Sequence, residues 1–148
     1  MLTIRDMRES DESVFLGFAL PFYQSPALLS PVEREAIDRT FREALRNDGL
    51  LRGLILEWEG AAAGFAFLTF AWTTERGGRV VWVEDLFVSP AFRGKNIGTE
   101  FFRWLESEYQ HSAKRFSLEV SPTNPAQRLY ARLGFEPLHY TRMIKEVD

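Results

Sequence analysis

The stretch VVWVEDLFVSPAFRGKNIGTEFFRWLE, residues 80–106, decides the fold, because a strand, a glycine-bearing loop and an amphipathic helix follow one another in it without interruption. Val80, Val81, Trp82, Val83, Leu86, Phe87 and Val88 make a β-branched and aromatic run too short and too apolar for a surface helix, which predicts a strand over 80–88. Ser89-Pro90 ends it. Ile97, Phe101, Leu105 and Tyr109 recur every four residues while Glu100, Arg103, Glu106 and Gln110 fall on other faces, which predicts a helix over 97–109. Between the two, Arg93-Gly94-Lys95-Asn96-Ile97-Gly98 leaves backbone N–H groups open at a helix N-terminus, where they and the helix dipole favour phosphate oxygens. The loop is neither a dinucleotide fingerprint nor a Walker loop: it has no Gly-x-Gly-x-x-Gly, and no Ser or Thr follows Lys95.

Working outward, residues 116–120 (Phe116, Leu118, Val120) read as the next strand, and 80–120 then forms a right-handed crossover that makes its two strands parallel neighbours. Upstream, Arg76-Gly77-Gly78-Arg79 reads as a hairpin connection, and residues 50–58 and 62–73 as strands joined through Glu59-Gly60, so the middle of the sheet is antiparallel. Residues 2–5 read as a first strand and Asp11-Glu12-Ser13 opens a helix that runs to about Leu20, before Pro21. Ser30-Pro31 with Glu33 has capping-box spacing for a second helix ending near Asn47-Asp48-Gly49. Near the C-terminus Asn124 suits an N-cap, Pro125 a first helical position and Gly134 a left-handed helix end, bounding a short helix. Residues 135–145 are expected to supply one or two final strands.

Two of these segments together resemble a known family. The loop from Arg93 to Gly98 is similar to the acyl-CoA-binding motif of the GCN5-related N-acetyltransferases (GNAT), Arg/Gln-x-x-Gly-x-Gly/Ala, with Asn96 where the middle glycine is common; Asn tolerates positive φ better than other non-glycine residues. The helix bearing Asn124, Leu129-Tyr130 and Gly134-Phe135 resembles that family's second motif, in the right order and position. The resemblance covers residue 80 to the C-terminus. It implies one domain over 1–148 with an α+β fold: a mixed, mostly antiparallel central sheet of six to seven strands, about four flanking helices, and two parallel central strands that splay to admit a pantetheine arm. It also implies acetyl-CoA as cofactor, CoA as product, and contacts to it from Leu86, Phe87, Val88, Arg93, Gly94, Lys95, Asn96, Ile97, Gly98, Thr99, Asn124, Ala126 and Tyr130. Members are often dimers, so a homodimer is an expectation that the sequence leaves open.

Acetyl transfer to nitrogen needs a neutral amine, and a lysine-like amine with pKa ~10.4 is neutral in only about one molecule in a few thousand at pH 7. Glu84 and Asp85 interrupt an otherwise apolar strand, where a charge must be paired, at an edge or facing a cavity. Alternation puts them on opposite faces, so only one should face the substrate. Residues 83–88 look like the Leu-Glu-Asp-Phe-Phe-Val run of diamine and spermidine acetyltransferases, whose Glu at this point is a proposed base, and Glu84 is therefore the first choice, Asp85 the second. The competing reading for either is a structural ion pair or a loop cap. Tyr130 fits a general acid for the leaving thiolate, or a core residue beside Leu129 and Leu133. Asn124 can bind the pantetheine arm or only cap its helix, and Arg93 and Lys95 can serve the pyrophosphate or only solvent. Phe15, Phe18, Phe22, Tyr23, Trp72 and Trp82 read as core more readily than as substrate wall.

Composition removes other classes. A chain of 148 residues can bury ~70% of its unfolded surface, enough for one core. With no cysteine there is no disulfide, thiolate metal site or cysteine nucleophile, and His111 and His139 alone make no metal cluster. A net charge of −3 gives no nucleic-acid footprint. No apolar run follows a basic start, and the longest apolar stretch, 64–72, falls far short of the ~20 residues that span a bilayer. The expectation is a cytoplasmic enzyme with a small-molecule amine substrate (polyamine, diamine or amino-acid-like) and no nucleic-acid or membrane partner. The alternatives are a non-catalytic acyl-CoA sensor on the same fold, or acetylation of a protein N-terminus or lysine. Selectivity is expected from residues 21–31 and the last strands.

Overall fold

The structure is a computed structural model that describes residues 1–26 and 28–148. Ala27, inside the expected selectivity segment, lies outside the described residues. One five-stranded sheet has the order β1 (Leu2–Asp6), β2 (Leu51–Trp58), β3 (Ala61–Thr73), β4 (Gly78–Val88), β5 (Ala113–Leu118). The first four strands pair antiparallel and β4 pairs parallel with β5. The helices are α1 (Glu12–Phe22), α2 (Arg34–Arg46), α3 (Ile97–Tyr109) and α4 (Gln127–Arg132).

The sheet carries a core on each face, as expected where helices cover both sides. On one face α3 lays Ile97, Phe101, Phe102 and Leu105 over Leu54, Leu56, Ala66, Leu68, Val81 and Val83. On the other, α1 and α2 bring Phe15, Ala19, Ile37 and Phe41 onto Ile55, Phe65, Phe67 and Phe87. Phe15 is fully buried, with ring centroids 5.2 Å from Phe41, 5.1 Å from Phe65 and 5.6 Å from Phe67. The guanidinium of Arg5 forks onto Asp11 at 2.8 and 2.9 Å, tying β1 to the entry of α1.

Several expectations need correction. The sheet has five strands, not six or seven, and the parallel pair is not central, because β5 is an edge. No strand forms over 135–145: Pro137 removes a ladder donor, and Leu138, Tyr140, Met143, Ile144 and Val147 remain exposed, so no burial offsets the entropy of ordering that segment. What holds it is Arg142, whose Nη1 lies 2.9 Å from Glu119 Oε1 and whose guanidinium sits 5.2 Å from the Trp82 ring centroid. β5 stops at Leu118 rather than Val120. Helix α1 continues through Pro21, which is next to its last residue, so the missing N–H costs a single bond at the fraying end. Helix α2 starts at Arg34 with Glu33, not Ser30, at its N-cap, and closes on left-handed Asn47 (φ 44°). Helix α4 starts at Gln127, because Asn124 and Pro125 form a preceding turn instead.

Candidate active site

The site begins with a register break in β4. Phe67 pairs with Asp85 and Leu68 with Val83, so Glu84 is an extra residue opposite nothing, a β-bulge. Directly paired residues share a face, which places Asp85 with Phe67 on the α1 side. Thr69 lies two residues beyond Phe67, on the same face, and its hydroxyl donates to Glu84 Oε1 at 2.7 Å. Both carboxylates therefore point to the same side of the sheet, and the expectation of opposite faces fails because simple alternation does not survive an inserted residue.

The same point ends the pairing of β4 with β5: the last partners are Val83 and Leu118, and β4 continues alone to Val88. The strands part there, leaving residues 84–88 of β4 with no strand partner on the β5 side. A cleft of about 1040 Å³ opens at this divergence. Glu84, Asp85, Leu86, Phe87, Val88, Arg93, Asn124, Ala126 and Tyr130, all singled out from the sequence, line it. Phe18, Phe22, Ser25, Leu28, Leu29 and Val32 wall the other side. Phe87 lies 5.7 Å from Phe18 and 5.2 Å from Phe22 between ring centroids, giving that wall a stiff aromatic base.

The carboxylates differ in environment. Glu84 is exposed and tied to Thr69. Asp85 is half-buried and accepts a 3.1 Å hydrogen bond from the hydroxyl of Tyr23. Burial pushes the Asp85 carboxyl up to about 6; the Tyr23 hydrogen bond opposes that rise and the charge of Glu84 adds to it. Tyr130 packs edge-on against Phe102 at 5.7 Å, and burial raises its hydroxyl pKa, so it stays protonated at neutral pH.

The phosphate-loop residues divide. Gly94 (φ 83°) and Asn96 (φ 60°, ψ 26°) both take the left-handed conformation, so Asn keeps the loop shape expected of glycine. Arg93 Nε donates to the Val88 carbonyl at 3.3 Å, holding the loop against the end of β4. Gly94, Lys95, Asn96, Ile97, Gly98 and Thr99 are not among the residues lining the cleft; Lys95 sits 5.9 Å over the Trp58 ring and Ile97 is core. Gly98 has a packing reason as well, since a Cβ there would lie 3.0 Å from Leu129 Cδ2 on α4. Asn124 Oδ1 accepts from the Ala126 N–H at 2.9 Å, so it caps the turn before α4 while facing the cleft. Sequence reasoning missed Tyr23, read as core: its partner is 62 residues away, and no local pattern signals such a contact.

At one cleft the α+β fold thus brings together a sheet that parts at a bulge, a carboxylate pair and the half-buried Tyr130. The family model described as acetyltransferase (GNAT) family matches residues 15–135, and the chain belongs to that family of N-acetyltransferases. It is 29% identical over 153 residues to the thialysine N-ε-acetyltransferase of Mus musculus, covering 91% of this chain and 84% of that protein. Its fold superposes on a possible acetyltransferase from Clostridium difficile 630 with a TM-score of 0.85 at 16% identity, over 100% and 99% of the two chains. It also superposes on AAC(6')-Iy, solved in complex with the bisubstrate analogue CoA-S-monomethyl-acetylneamine, with a TM-score of 0.78 at 20% identity, again over 100% and 99%. Among the described residues no helix is long and apolar enough to cross a membrane, and no group of three or more His, Cys, Asp or Glu could hold a metal ion.

Proposed function

We propose that this N-acetyltransferase takes its acetyl group from acetyl-CoA and passes it to a primary amine of a small molecule, a polyamine, diamine or amino-acid-like compound. The observation that carries the reading is the carboxylate pair turned to one side of the sheet by the bulge, at the mouth of the cleft. The edge of β4 over residues 84–88, which has no strand partner on the β5 side, the left-handed turns at Gly94 and Asn96 and the cleft's volume suit an extended thioester arm with its phosphates near the start of α3. Leu86, Phe87, Val88, Arg93, Asn124 and Ala126 would hold that arm, with the backbone of residues 94–99 toward the phosphates. Bound acetyl-CoA supplies the activated acetyl carbon.

Asp85 takes the proton that the substrate ammonium must lose. Its elevated pKa lies nearer neutrality than an ordinary carboxylate's, making it the stronger base, while most of it is ionised at pH 7. Glu84, the first choice from sequence, keeps the charge that attracts a second cationic group. Tyr130 gives its phenolic proton to the departing sulfur. The mouse relative, whose name specifies an amine at a side-chain ε position, supports an acceptor of this kind.

A thiol-release assay with acetyl-CoA across monoamines, diamines and peptides tests the reading. Diamines should outperform monoamines of similar length, with a gap that narrows as salt is added. Preference for peptides would replace the small-molecule reading with protein acetylation, and CoA binding without turnover of any amine would leave an acyl-CoA sensor.

A further inference from the structure

Tyr23 closes α1 as its C-cap residue and reaches across to β4, where its hydroxyl donates to Asp85 Oδ2 at 3.1 Å. The ring is held from several sides: Tyr23 is 6% exposed, with centroid distances of 5.1 Å to Phe22 and 6.1 Å to Phe65. Its carbonyl accepts the N–H of Val32 at 3.3 Å, and Val32 lines the cleft together with Ser25, Leu28, Leu29 and Ser30. One residue therefore meets that wall through its backbone carbonyl and the carboxylate through its side chain.

We propose that Tyr23 is a positioning residue for the transfer: its side-chain hydrogen bond holds Asp85 in a fixed orientation as a charged proton acceptor, while its carbonyl holds Val32 in the cleft wall beside it. This rests on the reading of Asp85 as the base. A carboxylate with two oxygens in a half-buried site can rotate about its last torsion, and a donor on one oxygen stops that rotation, leaving the other to take the proton from the substrate nitrogen. The proton passes from the ammonium nitrogen to that oxygen, and the nitrogen lone pair is freed for the acyl carbon.

The charged and titratable groups around Asp85 are few. Glu84 comes from its own strand, and Glu119, Arg93 and Tyr130 line the same cleft. Phe67, its partner on β3, carries no charge, and α1 contributes Tyr23. No Lys or Arg ion pair with Asp85 forms among the described residues. Tyr23 is thus the donor that opposes the effect of burial on this carboxyl. Burial also raises the pKa of Tyr23 itself, so it remains a donor across the working pH range.

Tyr23→Phe keeps the ring and its packing and removes only the donor. The first measurement needs neither acetyl-CoA nor amine: the Asp85 carboxyl resonance of ¹³C-aspartate-labelled protein, assigned with Asp85→Asn, is titrated in the wild type and in Tyr23→Phe. The wild-type midpoint should lie near 6, and the variant's should move up by about one pH unit. The second is the acidic limb of the kcat/KM profile, which should move up with it, accompanied by a fall in kcat of about tenfold at neutral pH from lost orientation. The double variant Tyr23→Phe with Asp85→Asn should show no further loss beyond Asp85→Asn. An unchanged midpoint overturns the coupling. A midpoint that moves while the kinetic limb stays overturns the positioning role, because Asp85 is then not the base. If the wild type turns over no amine at all, the proposed function fails, and a shifted midpoint still upholds the Tyr23–Asp85 contact. A tyrosine that merely packs would change thermal stability and neither titration.

Discussion

Replacing Asp85 by asparagine should stabilise the protein, by an amount that grows with pH. The carboxyl ordinarily titrates at 3.8 and is held at about 6 in the fold, so the native state binds that proton more tightly than the unfolded chain does. The sign follows: well below the ordinary value of 3.8 both states are protonated and nothing is lost, whereas above about pH 6 the fold carries an ionised group in a place that disfavours it. About two pKa units at ~1.36 kcal/mol each give a cost of about 3 kcal/mol, roughly half of it developed by pH 5. Asparagine has nearly the same shape, remains neutral, and can still accept the hydrogen bond from Tyr23. Urea unfolding followed by tryptophan fluorescence from about pH 4.5 to about pH 8 should show the variant's midpoint rising above the wild type's by ~1–1.5 M at the alkaline end, with the gap closing toward the acid end. The variant should have lost most of its turnover meanwhile. A gap that is constant with pH, or that widens toward acid, would mean the carboxylate is well solvated in the native state, and the argument for its role as base would go with it.

Tyr130→Phe leaves its contacts with Phe102 and Phe135 intact, so turnover should fall by ~10²-fold or more with CoA affinity nearly kept; unchanged kcat under rate-limiting chemistry would return Tyr130 to the core. Gly98→Asp must displace Leu129 and places a negative charge in the first turn of α3, so calorimetric titration should find CoA binding lost in a protein that still folds, whereas Asn96→Gly, already at φ 60°, should bind almost as the wild type does. Gly64→Ala drives a methyl group into the backbone carbonyl oxygen of Phe87 and to about 3 Å from that carbonyl's carbon and the Cα of Val88. A cost of about 1–3 kcal/mol in urea unfolding should therefore come with weakened CoA binding, because the backbone that must move is the floor of the cleft.

Much of this was legible in the chain, and the failures have definite causes. The helix expected over 97–109 is α3, since its four-residue apolar spacing and the loop before it agree, and the strand expected over 80–88 falls within β4. The two family motifs brought most of the cleft residues together because each motif sits at the end of an element whose direction the crossover determines. The faces of Glu84 and Asp85 were not legible: an inserted residue in one strand is visible only against its partner, and the partner pairing is a tertiary fact. Tyr23 was hidden for the same reason. The missing final strands reflect a different limit, since residues 138–147 contain enough apolar side chains to look like strands and yet bury few of them.

The bulge has a consequence for how this site can change. Omitting Glu84 leaves Val83 followed directly by Asp85, and the alternation then runs unbroken: Val81, Val83, Leu86 and Val88 toward α3, Trp82, Asp85 and Phe87 toward α1. Glu84 is thus an addition to a strand that is already complete without it. An exposed charge lining the cleft comes with one inserted residue, and no core side chain has to change sides to admit it. A residue lining the cleft and the packing of the core are therefore separable here: a lineage or an engineer can drop, swap or restore Glu84 to change the charge there, while the two hydrophobic layers stay in step.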